Sequence, residues 1–134
     1  LAASYEAKAC GVRTAMGGAQ ALRIGQDHPD MFAWVGSFGA ALSGGNPADA
    51  HAAFFRDPDA TNAATRLLWI GCGRDDGLFT VNRALHEALV ARGIRHVFHE
   101  SPGAHTWINW RAYYIEFLPR LFQPAADSPR HPPG

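Results

Sequence analysis

The stretch Arg66-Leu-Leu-Trp-Ile-Gly-Cys-Gly-Arg-Asp-Asp-Gly-Leu78 decides how this chain folds. Its first eight residues form a short apolar run ending in glycine, as strands covered on both faces do. Asp76 then stands where a helix N-cap belongs. Leu78, Val81, Leu85 and Leu89 recur at helical spacing and Gly93 supplies a terminator, which predicts a helix over 77–92. A buried strand followed at once by an amphipathic helix is the repeating unit of a parallel sheet.

Working outward, residues 31–39 (Met-Phe-Ala-Trp-Val-Gly-Ser-Phe-Gly) read as a second strand and 95–101 as a weaker third. Residues 10–14 are a candidate fourth, with Gly11 and Arg13 working against it. A small-residue helix is expected over 17–28, stopped by His28-Pro29. Trp107, Trp110, Tyr114, Phe117, Leu118 and Leu121 mark one face of a last helix. Residues 43–62, rich in Gly, Pro, Asn and Asp, read as a long loop with one short helix near 48–55. The expected class is α/β: a mainly parallel sheet of three to four strands with helices on both faces, within a domain over 1–122. Residues 123–134 hold four of the nine prolines and read as a disordered tail.

Composition narrows the function. At 134 residues the chain is one domain's worth of polymer, and 47% hydrophobic residues are enough for a core. Twelve basic side chains balance twelve acidic ones, which leaves no surplus for a phosphate backbone and argues against nucleic acid. No apolar run approaches the ~20 residues that span a bilayer, so no membrane partner is expected. Cys10 and Cys72 lack metal spacing and are too few for a disulfide framework; Cys72, inside an apolar run, reads as a small buried thiol. Neither a metal nor a cofactor is expected. The first residues carry no charged or apolar leader pattern, and the choice between a cytoplasmic and a secreted soluble protein stays open.

Open α/β sheets place their chemistry at the carboxyl ends of strands. Three such ends are readable: Ala15-Met-Gly-Gly18, Cys72-Gly-Arg-Asp-Asp76 and Pro102-Gly-Ala-His105. An acid after one strand and a histidine after the next fits the acid-then-base order of an α/β-hydrolase triad.

With those residues in view, the sequence resembles the esterase D-like family of α/β-hydrolases, with the nearest likeness to feruloyl and acetylxylan esterases. S-formylglutathione hydrolase-like enzymes and enterochelin esterase relatives share that branch. The carrying segments are 16–25 (MGGAQALRIG), 28–32 (HPDMF), 69–76 (WIGCGRDD) and 103–111 (GAHTWINWR), and together they cover most of residues 15–122. The resemblance implies the C-terminal portion of that fold. It implies His105 as general base, Asp76 as the acid that orients it (with Asp75 as the less favoured neighbour), and Met16 as one backbone N–H donor of the oxyanion hole.

The nucleophile breaks the pattern. The family's G-x-S-x-G, registered on Gly17, calls for serine at position 15, where this chain has Ala15; the glycine expected two residues earlier is Arg13. Thr14 is adjacent but out of register. Losing a triad nucleophile lowers kcat by ~10⁶, so impaired or absent turnover is expected. The runner-up is a non-catalytic relative acting as a carbohydrate- or protein-binding module, or the product of a truncated gene. The expected partner is an ester, polysaccharide-linked or small, with self-association expected at an exposed sheet edge.

Plainer roles compete at several positions. Asp76 reads equally as a helix cap, and Gly17-Gly18 as a turn. His96 and His99, three apart on a strand, point to opposite faces and make a poor metal site. His86 reads as solvated. Trp107, Trp110 and Tyr114 read as core packing, with Trp107 as the one placed to flank a substrate ring. Gly71-Cys-Gly73 imitates a dinucleotide fingerprint, but Asp76 stands where its third glycine belongs.

Overall fold

The computed structural model describes residues 17–41 and 46–123. In chain order the elements are α1 (Gly18–Asp27), β1 (Trp34–Phe38), α2 (Pro47–Ala50), α3 (Ala52–Arg56), α4 (Pro58–Ala64), β2 (Leu67–Gly73), α5 (Phe79–Ala91), β3 (Val97–Ser101) and α6 (Trp107–Phe117), closed by a 3₁₀ turn over Leu118–Arg120. Among the described residues the sheet has three strands in the order β1-β2-β3, both pairs parallel. Residues 10–14, the candidate fourth strand, and nearly all of the expected tail lie outside the described residues.

Alternation along β2 builds a three-layer sandwich, because successive side chains leave a strand on opposite faces. Leu68 and Ile70 pack with Leu22 of α1, Val35 of β1, Phe54 and Phe55 of α3, and Leu85 and Leu89 of α5. Trp69 goes the other way, into an aromatic layer with Phe38, Tyr113, Phe117 and Leu121. Gly36 and Gly71 let α6 lie directly on the sheet: a Cβ at Gly36 would fall 2.8 Å from the Phe117 ring, and one at Gly71 would fall 3.1 Å from the Tyr113 ring and 2.5 Å from the Trp69 ring of its own strand. Both glycines are packing devices.

The elements differ from the sequence pattern in instructive ways. β1 starts at Trp34 rather than Met31, since the amides of Met31 and Phe32 both donate to the His28 carbonyl, at 3.0 and 3.1 Å, closing a turn after Pro29. α5 starts at Phe79, two residues late, because Asp76 organises a turn first. From residue 46 on, the stretch read as a long loop with one short helix holds three short helices. Asn46 caps α2 by accepting from the Ala48 amide, and Asp57 caps α4 by accepting from the Ala60 amide, both at 3.0 Å, each with proline in the first turn. Turn-forming residues were there as caps. α6 buries Tyr113, Phe117 and then Leu121, whereas Tyr114 and Leu118, assigned to that face by pattern, are 38% and 39% exposed.

Candidate active site

Parallel pairing brings the carboxyl ends of all three strands to one edge of the sandwich: Phe38 lies beside Gly71, and Gly73 beside Ser101. The segments leaving those strands, at Gly39, Arg74–Asp76 and Pro102–His105, therefore meet there.

One of their contacts joins a carboxylate to an imidazole. His105 Nδ1 and Asp76 Oδ2 are 2.7 Å apart. A carboxylate only accepts, so the ring nitrogen facing it is the donor and Nε2 is left as the imidazole's unprotonated nitrogen. Asp76 is buried, its side chain 3% exposed, whereas the His105 side chain is 37% exposed. The carboxylate is thus held inside and the imidazole is open to solvent on one side.

Asp76 does not cap α5, whose N-cap is Leu78 and has no side-chain cap. Oδ1 accepts from the Leu78 amide at 2.8 Å, leading into α5, while Oδ2 takes His105. Asp75, one residue away, points elsewhere: its Oδ2 accepts from the Gly103 amide at 3.1 Å. Beneath this pair lies Cys72, wholly buried. Burial foremost, then the Asp76 charge, pushes its thiol up to about 12, so it stays protonated and inert.

Gly39, which nothing in the sequence singled out, completes the cradle. It adopts φ +59°, and a Cβ there would fall 2.9 Å from His105 Nδ1 and 3.0 Å from Asp76 Oδ2. Its neighbour Ala40 packs beside Gly18 at the start of α1, where a Cβ would fall 3.2 Å from the Ala40 Cα. The amino end of α1 therefore lies next to the histidine–aspartate pair. Ala15 and Met16, and with them Arg13 and Thr14, lie outside the described residues.

Aromatic residues border His105. Trp110, read from the pattern as core, stands edge-on to the imidazole with centroids 4.9 Å apart. Trp107, picked out as the substrate neighbour, packs on Trp110 at 6.2 Å and remains 51% exposed. Trp110 is thus the direct neighbour of the imidazole and Trp107 the more open ring.

His86, His96 and His99 are engaged with other rings. His86 is not merely solvated: it stacks on Phe98 at 4.7 Å and its Nδ1 is 2.7 Å from His96 Nε2. His99 leaves the opposite face of β3 to stack on Trp69. Among the described residues no group of three or more ligating side chains could hold a metal, and no helix there is long and apolar enough to cross a membrane. Gly73, part of the nucleotide-like motif, is glycine because the Gly103 carbonyl oxygen occupies the space a Cβ would need.

A family model described as "Putative esterase" matches residues 12–121. Among solved structures, a ferulic acid esterase aligns with a TM-score of 0.65 at 26% identity, over 78% of this chain and 46% of that one. The apoenzyme of S-formylglutathione hydrolase (FrmB) from Staphylococcus aureus aligns with a TM-score of 0.57 at 21% identity, over 78% and 47%. This chain spans about half the length of each of these two structures.

Proposed function

Because the chain belongs to the Putative esterase family, we propose that it is a carboxylic-ester hydrolase scaffold whose acid–base half is assembled and whose nucleophile position carries no attacking group. The observation that supports this most directly is the 2.7 Å contact of His105 Nδ1 with Asp76 Oδ2 at the carboxyl edge of a parallel sheet. In the reaction of this family type, Nε2 of His105 takes the proton of an attacking hydroxyl and returns it to the leaving alcohol. Asp76 fixes the tautomer and stabilises the imidazolium that forms. The amide of Met16 and the amino end of α1 would bear the negative charge on the carbonyl oxygen.

Position 15, registered on Gly17, holds Ala15, and Arg13 replaces a small residue of the nucleophile turn. With a methyl group there, no acyl-enzyme forms and the ester is at most bound. The likeness to a ferulic acid esterase favours an aromatic acyl ester, feruloyl before acetyl. The exposed ring of Trp107, one aromatic away from the base, suits stacking on such an acyl group or on a sugar ring.

The test compares the natural chain with the R13G/A15S double variant on methyl ferulate and p-nitrophenyl acetate, with fluorophosphonate labelling followed by mass spectrometry. The expected outcome is no turnover and no label on the natural chain, and, in the variant, ester turnover with the label on the introduced hydroxyl at position 15. Ester turnover by the natural chain at a rate comparable to the variant's would refute the reading.

A further inference from the structure

The turn that carries His105 is held by side chains that make no contact with the imidazole. Asn109, one turn into α6, donates through a single Nδ2 to two carbonyls, Pro102 O at 3.1 Å and Ala104 O at 2.9 Å. Between those carbonyls sits Gly103, at φ +89°. Its amide donates to Asp75 Oδ2, and its carbonyl accepts from the Asp75 amide, both at 3.1 Å. The Arg74 amide donates to Ser101 O at 2.8 Å. Three successive residues, 102 to 104, are thus pinned from two sides, by α6 and by the segment that carries Asp76.

From this arrangement we infer that Asn109 and Asp75 are positioning residues for His105, setting the place of the base against Asp76. Asp76 is anchored on its own side by the Leu78 amide and by burial. His105 is the exposed partner, edge-on to Trp110, and the path of its turn sets where Nδ1 lies. An amide is the right chemistry at 109, since two converging carbonyl oxygens need N–H donors; an isosteric carboxylate would turn acceptors toward acceptors. A carboxylate or amide oxygen is equally right at 75, where one backbone N–H must be accepted. The inference rests on His105 acting as the general base, but its structural part is measurable without turnover.

The experiment follows the low-field proton resonance of His105 Nδ1–H, assigned by its loss in H105Q. The natural chain shows the resonance. N109D and D75A lose it to exchange broadening, and D75N, which keeps an acceptor oxygen, retains it. Amide exchange protection in β1 and β2 establishes that each variant is folded; should N109D not fold, the D75A and D75N pair decides. Absence of the resonance in the natural chain, or its persistence in folded N109D or folded D75A, overturns the inference. In the R13G/A15S background, N109D lowers kcat ~10²-fold at unchanged KM, the size of effect a ~1 Å misplacement produces. If that background shows no turnover while the resonance still follows residues 75 and 109, the positioning stands and the esterase reading fails.

Discussion

Gly39 shows how much of a site one hydrogen can decide. Its φ of +59° lies in the left-handed region, which costs an L side chain about 1–2 kcal/mol. The Cβ would also intrude on both members of the His105–Asp76 pair. G39A is therefore expected to lower stability by about that amount and to displace His105 besides. Urea unfolding reads the first effect and the His105 Nδ1–H resonance the second; a variant with native stability and an intact resonance would contradict the geometry. Sequence pattern gave no warning here, because a glycine after a strand is ordinary and only the fold brings residues 76 and 105 against it.

Elements are joined here by contacts that hydropathy does not report. His86 of α5 and His96, just before β3, form a hydrogen-bonded pair. His96 Nδ1 also faces the Ile94 carbonyl at 2.8 Å, so Nδ1 carries the proton and Nε2 accepts from His86. Burial first, and the His86 charge as well, lower the His96 pKa below its ordinary 6.5, against the raising effect of the Ile94 carbonyl. His51, buried between α2 and α3, is lowered too, again chiefly by burial. For groups lowered on folding, the stabilising contribution is complete above the unfolded-state value, near 6.5, and is lost as pH falls through the folded one. The urea midpoint should therefore fall between pH 7.5 and 5.5, and H96Q should fall less steeply. An equal slope in both would remove the pair from the account.

At the scale of the whole molecule, charge and exposed apolar surface act together. Twelve basic and twelve acidic residues leave a formal net charge of zero, and the pI is near 7.2. Ile108, Ile115 and Phe122 are 80%, 63% and 65% exposed along and just beyond α6. With no net repulsion near neutrality, copies of the chain are expected to associate most strongly around pH 7. Association should weaken toward pH 6, below the pI, as net positive charge builds, and salt should restore it there by screening. Sedimentation velocity across that range is the measurement; a pH-independent monomer at high concentration would set the expectation aside.

What the sequence by itself determined was local or ordinal. Apolar runs ending in glycine marked β1 and β2, periodicity marked α5, and the order of acid then histidine marked the edge where chemistry would collect. The absence of a hydroxyl at position 15 needs no fold to be read. Only the tertiary structure decided which of two adjacent aspartates meets the histidine, since Asp76 and His105 are 29 positions apart and come within reach only where parallel register brings their strand ends together. It likewise assigned Trp110 rather than Trp107 to the side of His105, and gave Asn109 two carbonyls to hold. Each of these is a contact across strand ends or between a turn and a helix. A side chain's direction there depends on the packing of the layers, and the period of its own element does not record it.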